Sequence, residues 1–71
     1  MHIQSTIEGD FEGTDDEVVF TLDNGQKWQQ IGYRYRYTYQ YRPRVTIETS
    51  GPTGSMVVEG FSEPIRVRRI L

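Results

Sequence analysis

The sequence has no cysteine, no alanine, one lysine and one histidine. Lacking thiols, it forms neither disulfides nor thiolate metal sites, and a thiol nucleophile is excluded. The sole imidazole, His2, stands near a terminus, where chains fray. The base and orienting group that nucleophilic catalysis needs are therefore not in evidence. No apolar run approaches the ~18 residues of a membrane helix. The opening Met1-His2-Ile3-Gln4-Ser5 is too polar and short for a targeting core. These absences predict a protein that is not an enzyme, takes no cofactor or metal and does not enter a membrane. A cytoplasmic and a periplasmic location both stay open, because a cysteine-free chain folds in either redox setting.

Helix signals are missing as well. No window repeats apolar residues at i, i+3, i+4 and i+7. Period two recurs instead, with Gly, Asp, Asn and Pro between the runs. At 71 residues there is room for one domain, and such a chain buries only roughly 60% of its unfolded surface. A core of this size supplies about 3–5 kcal/mol, so a partner or a second copy is a reasonable source of added stability.

Along Ser5–Glu12, Ile7, Gly9 and Phe11 share one face, and Glu8, Asp10 and Glu12 share the other. Gly13-Thr14-Asp15-Asp16 reads as a turn. Asp15-Asp16-Glu17 has the chemistry to hold a hard cation, or to be a solvated acidic turn. In Glu17–Leu22, Val18, Phe20 and Leu22 point inward. Asn24-Gly25 follows and predicts a hairpin with a type I′ turn, since both residues tolerate positive φ. The next run, Gln26–Ile31, turns Trp28 toward the core, where its N–H needs a nearby acceptor. A binding pocket is the other reading of Trp28. Gln26 and Gln30 are placed to hydrogen-bond the next strand. Ser50–Gly54 is a turn, Met56–Glu59 a short strand, Gly60–Pro64 a connection and Ile65–Ile70 the last strand. A bulge near Arg68-Arg69 would return Ile70 to the core.

Five or six short strands with turns every 8–12 residues predict a small antiparallel barrel. An Src-homology-3-like barrel is the first choice and an OB-like barrel the second. The prediction is one barrel domain over 1–71, with 1–4 a disordered tail.

Net charge is −2, but it is unevenly spread. Residues 1–25 carry seven acids and no Lys or Arg. Residues 26–71 carry all eight bases and three acids. This polarity fits an acidic and a basic face, or pairing of the two halves as neighbouring strands. In an Src-homology-3-like barrel the last strand often lies beside the first, which would set Arg66, Arg68 and Arg69 opposite Glu8, Asp10 and Glu12.

Several strings together carry a resemblance. They are Ile7-Glu8-Gly9-Asp10-Phe11-Glu12-Gly13, Phe20-Thr21-Leu22-Asp23-Asn24-Gly25-Gln26-Lys27-Trp28-Gln29-Gln30, Val45-Thr46-Ile47, Gly54-Ser55 and Ile65-Arg66-Val67-Arg68-Arg69-Ile70. Across residues 7–70 the chain resembles a group of small uncharacterised bacterial proteins. These share an I-x-G-x-F-x-G strand, an F-x-L-x-N-G-Q-x-W-x-Q hairpin, a V-x-I strand, a G-S turn and a V-R-V-R-R end. The resemblance implies a compact β fold and no particular reaction. It also implies a periplasmic option, because some members follow an export signal. The tyrosine-rich stretch described next departs from that group.

Tyr33, Tyr35, Tyr37, Tyr39 and Tyr41 occupy successive odd positions, with Arg34, Arg36, Thr38, Gln40 and Arg42 between them, then Pro43 and Arg44. Pro43 lacks a ladder donor. The stretch therefore divides into an extended Tyr33–Tyr39 segment, a bend near Gln40–Pro43 and a strand Arg44–Thr49. On a strand, Tyr and Arg point to opposite faces. Five tyrosines exceed what a core this small holds beside Trp28, Phe11, Phe20 and Phe61. Exposed Tyr and Arg anchor interfaces; alternatively, the rings cover the core at the barrel rim. The function expected is protein interaction or self-association through Tyr33, Arg34, Tyr35, Arg36, Tyr37, Tyr39, Tyr41, Arg42 and Arg44. Single-stranded nucleic acid is the alternative partner, read by stacked Tyr and phosphate-binding Arg. The pI near 5.2 and the separation of Tyr from Arg weigh against it.

Overall fold

The computed structural model describes residues 2–71. It is all-β, with antiparallel strands and no helix among the described residues. Eight strands form: β1 (His2–Thr6), β2 (Asp10–Asp16), β3 (Val19–Thr21), β4 (Lys27–Gln30), β5 (Tyr33–Tyr41), β6 (Arg44–Ser50), β7 (Thr53–Val58) and β8 (Ile65–Arg69). Six make one sheet in the order β1-β6-β7-β8-β4-β3, and β2 with β5 make a separate two-stranded ribbon. No described helix is long and apolar enough to cross a membrane.

The six-stranded sheet curls until its two ends meet. An isolated bridge joins Ile7 to Leu22. Beside it the Glu8 N–H donates to the Thr21 carbonyl and the Asp23 N–H to the Thr6 carbonyl, both at 2.8 Å. Closure of this kind shields strand edges that would otherwise pair with other chains. Inward residues from nearly every strand fill the curl: Ile7, Phe20, Leu22, Trp28, Val45, Ile47, Met56, Val58, Ile65 and Val67. Phe11 from β2 and Phe61 from the β7–β8 connection complete it. Their rings meet edge-on with centroids 5.5 Å apart, and Phe11 lies 5.9 Å from Phe20, geometry that aromatic quadrupoles favour. Phe11 is thus the anchor that holds the ribbon to the main sheet.

Trp28 is a core residue, 1% exposed, and its indole N–H donates to Gln26 Oε1 at 3.1 Å. Gln30 is also buried. Its amide accepts from the Asp15 N–H and donates to the Arg34 carbonyl, so it bridges β2 and β5 from β4. The polar side chain is tolerated inside because both ends of the amide are used.

Several local expectations are corrected. The predicted tail at 1–4 is strand from His2 onward, its Ile3 opposite Ile47 of β6; Met1 lies outside the described residues. The run Ser5–Glu12 is two strands, because Gly9 adopts φ 78° and turns the chain. The predicted turn at 13–16 belongs to β2, and the turn is made later, where Glu17 takes φ 50°. At Asn24-Gly25 only Gly25 has positive φ, at 89°. The Gly25 N–H donates to the Leu22 carbonyl and the Leu22 N–H to the Gln26 carbonyl. The hairpin therefore has a three-residue loop with glycine in the left-handed position, not a type I′ turn. β7 starts at Thr53, since Gly51-Pro52 alone makes the turn between paired Ser50 and Thr53. The expected bulge near Arg68-Arg69 does not lie within β8, which keeps its register with β4 and with β7. It comes one residue later, where the Ile70 and Leu71 N–H groups both donate to the Lys27 carbonyl, and it leaves Ile70 46% exposed rather than in the core.

The expected pairing of charges is also redrawn. β8 lies between β7 and β4, with Arg66 opposite Ser55 and Arg68 opposite Thr53 and Gln29. Arg68 hydrogen-bonds Gln29 and not a carboxylate of β2. The acidic strand β2 instead pairs with the arginine-bearing β5. The chain halves do meet as neighbouring strands, through a different partner.

Candidate functional site

The ribbon begins from sequence rules that the rest of the fold does not share. In β5 every odd residue is Tyr, and aromatic residues suit the pleated backbone. The strand runs unbroken to Tyr41, beyond the Tyr39 expected, because Gln40 and Tyr41 pair with Phe11 and Asp10. It stops at Arg42, φ 50°, immediately before Pro43. Between Phe11 and Gly13, and again between Thr14 and Asp16, the register shifts. Each shift places one extra residue on β5, a bulge that bends and twists the ribbon. Gly13 is required at this crossing. Its φ is 94°, and a Cβ there would stand 2.0 Å from the Arg36 carbonyl oxygen.

All five tyrosines face solvent, with exposures from 54% to 71%. None covers the core, so the reading of the rings as a rim over the barrel is set aside. The even positions point the other way. Arg34 and Arg36 both bind Glu63 of the β7–β8 connection, Arg36 Nη1 at 3.0 Å from Oε2. Arg36 also lies over the Phe61 ring, 5.9 Å from its centroid. Gln40 packs against Gly60, where any Cβ would strike its amide. Arg42 pairs with Asp23. Arg44 falls beyond Pro43, in β6, opposite Thr6 of β1. The nine residues singled out from the sequence therefore do not form one surface. The tyrosines make a face, while Arg34, Arg36 and Arg42 tie the ribbon to the body.

What the sequence reasoning missed is the identity of the groups beside the tyrosines. Residues directly opposite in an antiparallel pair share a face. Asp10 stands opposite Tyr41 and Asp16 opposite Tyr33, with Gly13 opposite Tyr37. The Tyr face is thus a tyrosine and carboxylate face. The Tyr39 hydroxyl donates to Asp10 Oδ1 at 2.9 Å. That bond, with partial burial and the negative charge of Asp10 and Glu12, raises the Tyr39 phenol above its ordinary value. The signal was present in the acidic alternation of Glu8, Asp10 and Glu12, which had been assigned to β8 as partner.

Two cavities adjoin the ribbon. The larger, about 510 Å³, is a groove between β2 and β3. Ile7, Phe11, Val18 and Phe20 form apolar lining; Glu8, Asp10, Glu12 and Asp15 supply carboxylates; Tyr35 and Tyr37 border it. The smaller, about 220 Å³, lies between Gln30, Tyr33, Phe61 and Glu63. Thr14 lines both. It is 5% exposed, and its hydroxyl has no hydrogen-bond partner. Among the described residues, no group of three or more His, Cys, Asp or Glu side chains is placed to hold a metal ion. Comparison with protein-family models, with curated proteins and with solved structures returned no match.

Proposed function

We propose that the protein acts by binding another protein molecule through the outward face of the β2–β5 ribbon, as an interaction or self-association module. One observation carries this: five tyrosines on one nine-residue strand, each more than half exposed. Tyr gives large contact area at low cost in side-chain entropy and is enriched where interfaces are tight. β5 also has only one strand neighbour, which leaves an edge able to pair. The pairing of Arg34 and Arg36 with Glu63, and of Arg42 with Asp23, weighs against single-stranded nucleic acid. Three of the four arginines are already held in ion pairs, Arg34 and Arg36 sharing one carboxylate, and carboxylates stand among the tyrosines.

Sedimentation velocity over a wide concentration range tests the reading. The expected result is reversible association that survives high salt and is lost in Tyr33→Ser/Tyr41→Ser. A strict monomer at the highest concentration removes self-association and leaves a foreign protein as partner. Tight, steeply salt-dependent binding of a labelled single-stranded oligonucleotide would overturn the protein-binding reading.

A further inference from the structure

We infer that the groove between β2 and β3 receives a basic, extended polypeptide segment of another protein. This rests on the reading of the ribbon as an interaction surface and names the chemistry of the partner. Glu8, Glu12 and Asp15 border the groove without an ion pair or a side-chain hydrogen bond to neutralise them, and Asp10 holds only the Tyr39 hydroxyl. Four carboxylates around one concavity focus a negative potential into it. A Lys or Arg side chain entering there gains those charges and the faces of Tyr35 and Tyr37, which attract cations through their π systems.

Two further observations point to a ligand, and to its shape. Thr14 lines this groove and the smaller cavity behind it, and its hydroxyl is buried and unpartnered, whereas buried hydroxyls are ordinarily bonded. The groove is bordered by β2, whose only strand neighbour is β5, and by β3, whose edge is closed at Thr21 by the Glu8 N–H. Strand edges recognise extended chains through main-chain bonds, and the half-buried Val18 on the groove wall offers an apolar contact between the bases.

A second copy does not supply the segment: the arginines of its open-edged strand β5 are engaged, Arg34 and Arg36 by Glu63, as is Arg42 by Asp23. The arginine-rich strand, β8, is hydrogen-bonded on both sides, to β7 and to β4. Arg44 lies in β6, also paired on both sides. The occupant is therefore a basic stretch from a different chain.

Fluorescence anisotropy with the whole protein and two labelled peptides tests this, one alternating Lys with Val and one alternating Glu with Val. The Lys peptide is expected to bind and the Glu peptide not. Glu8→Gln/Glu12→Gln should weaken the Lys peptide about tenfold, with an unchanged circular dichroism spectrum. Glu48→Gln/Glu59→Gln removes the same charge away from the groove and the ribbon and should change binding by less than about twofold. Equal losses in the two double variants, or no Lys-peptide binding, overturn the inference. The Tyr33→Ser/Tyr41→Ser variant lies outside the groove and keeps the tests separate. If it abolishes self-association while the Lys peptide fails to bind wild type, the ribbon reading stands and the groove reading falls.

Discussion

The Tyr39 hydroxyl is tied to Asp10 Oδ1 at 2.9 Å, a cross-strand bond on the solvent face of the ribbon between a phenol and a carboxylate. The bond holds the phenol's proton more firmly in the folded chain than in the unfolded one, where Tyr titrates near 10. A folded pKa above the unfolded value contributes stability that is complete below about pH 10 and lost as the pH rises through the folded value. The Tyr39 phenolate transition, taken as the absorbance difference between wild type and Tyr39→Phe, should therefore lie above the value for free tyrosine. Asp10→Asn is expected to lower it. A Tyr39 transition that Asp10→Asn leaves unmoved would contradict the bond.

Trp28→Ala should unfold the domain or cost about 3–5 kcal/mol, the range for removing a buried large aromatic side chain. Urea unfolding followed by far-ultraviolet circular dichroism measures it. A stable, folded Trp28→Ala that has lost only binding would make Trp28 a ligand residue.

Gly13→Ala tests the crossing of β2 and β5. The new methyl meets a main-chain oxygen, which yields only if the two strands separate. The expected loss is at least ~2 kcal/mol, from left-handed strain and the clash together. Gly51→Ala is the control. Its φ is 66°, but nothing lies within 4 Å of its Cβ, so its cost is limited to about 1–2 kcal/mol of backbone strain. Similar losses for the two variants would mean that the crossing is less tight than described.

Glu63→Gln leaves Arg34 and Arg36 without their shared carboxylate. Both guanidinium groups are more than half exposed, so the loss of global stability should stay under ~1 kcal/mol. The local effect should be larger. Amide hydrogens of β5 are expected to exchange faster while those of β6 and β7 keep their rates. Uniform acceleration across the sheet would show that the ribbon and the body open as one unit.

Much of the architecture was legible from period two and turn residues. Val18-Phe20-Leu22 and Ile65-Val67 announced their inward faces, and Trp28 its burial, because burial on one side of a strand leaves an alternating record. Strand partners were not legible in the same way. Glu8, Asp10 and Glu12 matched the arginines of β8 in charge as well as those of β5, and charge carries no register. The choice falls to Gly13 and Phe11, one permitting the close crossing and the other anchoring it. The tyrosine ladder was visible at once, and core capacity implied that some of its rings are exposed; that all five are exposed came only with the structure. The carboxylates beside it came into view only when Asp10 and Asp16 proved to oppose Tyr41 and Tyr33.

The separation of the ribbon's two faces has a consequence for how such a protein can change over time. The inner face, through Arg34, Arg36, Gln40 and Phe11, fastens the ribbon; the tyrosines face solvent, and none belongs to the cluster that fills the barrel. Substituting a tyrosine alters what is recognised with little effect on whether the chain folds, as surface changes away from such anchors usually do. The barrel is in this respect a fixed handle carrying a label of five letters, and new partners are reachable by rewriting the label one letter at a time.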